Sequence, residues 1–137
     1  MVNTIALLIA RAIFGGAFLM ASVMKFTGID GTAAAIASIG FPFAHFFAWV
    51  AALFELGLVF AFFTGAFFRE AAVLAAAYVL FLGFAFYGPA SWQGNPMQMG
   101  FFINHLTFLA GLLFAAVHGP GRTLALSLTL PWPSRTQ

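Results

Sequence analysis

Four stretches of this chain, roughly residues 4–26, 43–63, 70–87 and 100–118, are almost free of charge and long enough, or nearly so, to cross hydrocarbon. A helix needs about 20 mostly apolar residues for that crossing. Lipid offers no partner to loose backbone groups, so each stretch is predicted to be helical. The third and fourth are short and would stand nearly upright or thin the bilayer locally. Composition closes off the alternatives. Of 137 residues, 64% are hydrophobic and only 6% charged, where about a quarter is charged in an ordinary soluble domain. A water-soluble fold this small has nowhere to put so much apolar surface. The expected fold is therefore an all-α membrane protein, a four-transmembrane-helix bundle. A short interfacial or re-entrant helix is expected between spans 1 and 2, over "TAAAIASI" at Thr32 to Ile39.

The breaks are well marked. "TGIDGT" closes the first span and "IGFPF" opens the second; "TGAFFRE" turns into the third, "YGPASWQGNPMQMG" separates third from fourth, and "HGPGR" ends the fourth. Residues 1–122 thus read as the membrane domain and 123–137 as an extended C-terminal tail. The N-terminal segment has an uncharged n-region and an apolar run interrupted by Arg11, so it reads as a retained helix rather than a cleaved signal. An even number of spans puts both termini on one side, together with Arg69, Arg122 and Arg135, while the other side has Lys25. Basic residues favour the cytoplasm, which places both termini there, in a bacterial inner membrane. Net charge is +2 with no basic run, which argues against a nucleic-acid partner. Cysteine is absent, removing disulfides, thiolate metal sites and thiol redox chemistry. No spacing suited to a metal is visible.

Charges inside apolar spans are expensive and usually paired. Counting from the span ends at 1.5 Å per residue puts Glu55 about 18 Å into the second span and Arg11 about 10 Å into the first from the opposite side. The two would share a level, so a buried Arg11–Glu55 ion pair is expected. Arg11, Gly15, Phe18, Ser22 and Lys25 recur at the helical period and form one face directed into the bundle. A second polar group collects at the far end: Lys25, His45, Tyr87, Asn104 and His105, a candidate quinone or head-group pocket, with Trp92 and Gln93 nearby. Its bland reading is an interfacial belt of aromatic and polar side chains. In the tail, Leu124, Leu126, Leu128 and Leu130 alternate, placing four leucines on one side of an extended segment until Pro131 and Pro133 stop it. That edge would lie on lipid or dock against a partner subunit.

Taken in order, these motifs resemble the DoxX family of small four-helix membrane proteins. The early Arg11 and later Lys25 match its first helix, with Ser22 where the family usually has glycine. "GFP" at Gly40 to Pro42 resembles its lead into the second helix. Glu55, Gly57, Gly65 and Arg69 match its Glu-x-Gly…Gly…Arg segment, and Asn104 with "GPGR" at Gly119 to Arg122 its last helix and exit. The resemblance runs over about residues 8–123, but no acid follows the GPG exit, and "NPMQMG" replaces a charged residue before the last helix. It implies that Arg11, Lys25, Glu55 and Asn104 are polar residues inside the bundle. The family includes the membrane subunit of a thiosulfate:quinone oxidoreductase and partners of membrane redox assemblies.

The first functional expectation is an accessory or scaffolding subunit of a larger membrane assembly, packing through Phe-rich faces and its tail; the chain has 20 phenylalanines. The alternative is the membrane subunit of a quinone-linked oxidoreductase, with quinone as ligand and electrons supplied by other membrane protein subunits. Enzymatic activity is expected only within such a complex. A small solute carrier is a third reading.

Overall fold

Residues 2–126 and 128–130 are described by the computed structural model. They form five helices: α1 (Val2–Thr27), α2 (Ile29–Ser38), α3 (Ala44–Thr64), α4 (Phe68–Tyr87) and α5 (Pro96–His118), with one 3₁₀ turn at Pro89–Ser91. Four of them, α1, α3, α4 and α5, are long and apolar enough to span a membrane. The short α2 begins three residues earlier than the alanine run suggests and packs on α1 and α3. The expected four-span bundle with an extra helix between the first two spans is what the chain forms.

Packing follows side-chain size. The helices associate chiefly as two antiparallel pairs, α1 with α3 and α4 with α5. Gly15 sits against the Phe63 ring, where a Cβ would come within 2.9 Å, so α1 and α3 run close together. On α4 the buried face is Ala71, Ala72, Ala75, Ala76, Val79 and Gly83. Small residues at this spacing let backbones approach without a hydrophobic driving force between helices. The pairs are joined by phenylalanines: Phe18 stacks on Phe62 with 3° between ring planes, Phe14 and Phe18 both meet Phe108 of α5, and Phe62 meets Phe68 of α4 edge-on. Offset and edge contacts of this kind add about 0.5–1.5 kcal/mol each beyond the area they bury.

The described residues of the tail do not leave the bundle. Its backbone lies along the α3–α4 turn, with the Leu126 N–H donating to the Thr64 carbonyl (2.9 Å) and the Phe67 N–H to the Leu128 carbonyl (2.6 Å). The Leu130 N–H donates to a Glu70 carboxylate oxygen at 2.7 Å. The extended edge therefore docks on its own chain, and the four leucines point away from it, 52–80% exposed. Pro131 and Pro133 lie outside the described residues. Gly65 makes the docking possible: its φ is +78°, and a Cβ there would fall 2.8 Å from the Ala125 Cβ. Gly65→Ala should cost about 1–2 kcal/mol for the left-handed backbone alone and push the tail outward. Thermal unfolding in detergent, with faster tryptic cleavage after Arg122, checks it.

Candidate functional site

Glu55 is 1% exposed, on the α3 face that carries Ala48, Ala52, Val59 and Phe62. Its partner is Lys25: the Nζ donates to Oε1 at 2.8 Å. The Tyr78 hydroxyl of α4 donates to the same oxygen, also at 2.8 Å. Three helices thus converge on one carboxylate oxygen. One turn before Lys25, the Ser22 hydroxyl donates to the Ala52 carbonyl at 3.0 Å, tying α1 to α3 in the same register. Among the described residues, nothing donates to Glu55 Oε2, which is fully buried.

The expected Arg11–Glu55 pair does not form. Arg11 lies 14 residues before Lys25 on α1, about 21 Å along the axis, and it is level with the far end of α3. There its guanidinium donates to five carbonyls: Phe62 (3.1 Å), Phe63 (2.7 Å), Thr123 (3.0 Å), Leu124 (2.7 Å) and, at the 3.5 Å limit, Pro120. The reason is an offset between the helices. α1 begins more than two turns beyond the end of α3, so depths counted separately from the two span ends do not fall on one scale. Arg11 is 4% exposed, and among the described residues no carboxylate pairs with it. Its charge is met by the C-terminal carbonyls of α3, the negative end of that helix's dipole, and by carbonyls of the tail. Leu124 holds a left-handed φ of +51°, and its own carbonyl takes one of these bonds.

Beside the Lys25–Glu55 pair, at the end of the bundle away from the chain termini, lies a cavity of about 850 Å3. α2 covers it with Thr32, Ala35 and Ile36; α3 contributes Phe47, Ala51 and Phe54. With Thr32, the polar side chains of the wall are Lys25, Tyr78, Tyr87 and His105; the rest is apolar. Of the residues singled out for a pocket, Lys25, Tyr87 and His105 line it, and two do not. His45 is on the surface, where its Nε2 meets Asp30 Oδ1 at 3.1 Å, and Asn104 is exposed on the outside of α5. One residue of error in a helix turns a side chain by about 100°, so Asn104 faces outward while its neighbour His105 faces in. Tyr78 was missed. It is the one polar side chain between Ala71 and Phe86, and that isolation in an apolar span was the available signal. Among the described residues no three His, Asp or Glu side chains gather as a metal site would require.

The fold and this site define a small membrane-embedded helical bundle with a largely apolar cavity that carries a few polar side chains. The sequence model of the DoxX family matches residues 6–88, and the chain belongs to that family. The match spans α1 to α4, including Arg11, Lys25, Glu55 and Tyr78, and stops before α5. No curated protein and no solved structure matches the chain.

Proposed function

We propose that this chain is the ligand-holding subunit of a membrane redox assembly, taking the ring end of a quinone-class amphiphile into the cavity beneath α2. The observation that carries the reading is a large aromatic-lined cavity whose polar donors are already charge-balanced. A volume of about 850 Å3 lies within the range of about 300–1,000 Å3 typical of small-molecule sites. Lys25 gives one N–H to Glu55 and keeps others. Because Glu55 neutralises it, the cavity offers donors without net charge, which suits a neutral carbonyl-bearing ring better than a phosphate head group. Phe47, Phe54 and Phe81 line the same cavity, surfaces on which a flat ring packs well. A bound quinone would supply the redox chemistry, with electrons entering from a partner subunit, since cysteine is absent and no haem-type histidine pair is present in the sequence. We place the cavity end on the outer side of a bacterial inner membrane, opposite the arginine-bearing end.

Lipid extracted from protein purified in mild detergent should contain quinone in near-stoichiometric amount. Ala51→Phe, which fills the cavity without touching a polar group, should abolish retention. Lys25→Met should weaken binding of a decyl-tailed benzoquinone at least tenfold, the loss of one hydrogen bond from a charged donor of roughly 1.5–3 kcal/mol. Retention unchanged in Ala51→Phe would overturn the reading.

The scaffolding role also has an observation in its favour. Phe43, Phe46, Phe60, Phe84 and Phe114 are each more than half exposed on the outside of the bundle. Migration of the chain with a large complex on native gels, with no quinone retained, would favour that role. The four spans are unbroken helices, which lends nothing to a solute carrier built on interrupted ones.

A further inference from the structure

Glu55 holds more capacity than its contacts use. Both donors, Lys25 Nζ and Tyr78 Oη, converge on Oε1, and Oε2 is buried with no donor among the described residues. A buried ionised carboxylate is tolerable while a cation stays against it. Among the described residues Lys25 is the cation set against it, and it also lines the cavity, with 21% of its side chain exposed. Its stem is flexible and its ammonium carries three donors. The cation set against this carboxylate is therefore a group that a cavity ligand can reach.

We propose that Glu55 is a proton-holding site linked to occupancy of the cavity: a ligand oxygen draws the Lys25 ammonium off Oε1, and the carboxylate left behind takes up one proton at Oε2. The balance is simple. One proton comes from the aqueous phase, Lys25 keeps its own, and no electron moves. Tyr78 stays hydrogen-bonded to Oε1 and lines the cavity as well. Rotation of the carboxyl group about its terminal torsion, which is broad and roughly two-fold, exchanges the two oxygens and brings either within reach of the tyrosine hydroxyl as a relay. Ligand and proton then bind together, each favouring the other by the same free energy. The inference rests on the cavity binding a quinone-class ligand.

The other titratable groups near the cavity are Tyr87 on α4 and His105 on α5, whose Nδ1 faces the Phe101 carbonyl at 2.8 Å; Asp30 of α2 is engaged with His45 at the surface. A carboxyl-specific readout separates Glu55 from them. Infrared difference spectra of the protein in nanodiscs, with and without the decyl-tailed benzoquinone, should show a new protonated-carboxyl C=O band that shifts in D₂O. A pH-indicator dye should register about one proton taken up per quinone bound, the stoichiometry expected of a single linked site. Glu55→Gln, compared with the unsubstituted protein at equal bound quinone, should show neither the band nor the uptake. Lys25→Met keeps the carboxyl and removes the cation, so its band should be present before ligand is added and unchanged afterwards. Quinone bound at the cavity with no carboxyl band in the unsubstituted protein overturns the proton site and leaves the ligand reading standing. No quinone binding at all overturns both.

Discussion

Arg11→Ala is expected to cost about 3–5 kcal/mol, because it leaves several buried carbonyls without a donor, each costing about 1–3 kcal/mol when unsatisfied and not fully additive. Five carbonyls lose their donor at once: two close α3, two belong to the tail at Thr123 and Leu124, and the fifth is the distant Pro120. Bonds to a charged donor contribute about 1.5–3 kcal/mol each when measured singly, but groups sharing one side chain do not add. The local consequence is more specific than the melting temperature. Without Arg11, the Thr123 and Leu124 carbonyls lose their donor, and the tail should lift more readily from the α3–α4 turn, where the backbone bonds at Leu126, Leu128 and Leu130 remain. Tryptic cleavage after Arg122 should accelerate sharply, while the Lys25–Glu55–Tyr78 cluster, about 21 Å away along α1, keeps its ligand. Arg11→Lys should retain only part of the stability, since one ammonium cannot span carbonyls from both the helix end and the tail. An unchanged melt and unchanged proteolysis in Arg11→Ala would remove the guanidinium from its role as the clamp.

The second large effect is at the other end of the bundle. Glu55→Leu leaves Lys25 beside apolar walls without a counter-charge and should cost about 3–5 kcal/mol. Adding Lys25→Met should recover most of that loss, because a buried ion pair is often replaceable by apolar residues of similar volume at little net cost. The double-mutant cycle should show a strong favourable coupling between the two positions. Arg11→Leu combined with Glu55→Leu should show none. Detergent-resistant helicity followed by circular dichroism through thermal unfolding measures both cycles. Coupling of the Arg11 type appearing where the Lys25 type is expected would contradict the pairing seen here.

Much of the architecture was legible in advance because a bilayer simplifies the problem. Span number, helical state and the short extra helix follow from length and hydropathy, which are local properties. The inward face of α1 was legible as well: Arg11, Gly15, Phe18, Ser22 and Lys25 share it, and Arg11, Phe18 and Ser22 are buried. Periodicity identifies a face but not a level along the axis. Both cations of α1 lie on that one face, nearly four turns apart, so the pattern fits a carboxylate partner for either. The pocket shows the same limit around the helix rather than along it. His105 points in and Asn104 out, a distinction of one residue that depends on how α5 is rotated against Gly83, where a Cβ would come 3.1 Å from the His105 Cβ.

By itself, then, the order of residues determined that this chain crosses lipid four times and that the charges within those spans must be turned inward, since hydrocarbon penalises every exposed polar group wherever the helices sit. Only the tertiary structure decided who meets whom. The offset of α1 against α3, set where Gly15 admits the Phe63 ring, delivers Lys25 to the carboxylate and leaves Arg11 to gather carbonyls from a helix end and a returning tail. That offset belongs to neither helix alone; it is the sum of many small contacts between two surfaces, and no single stretch of sequence contains it.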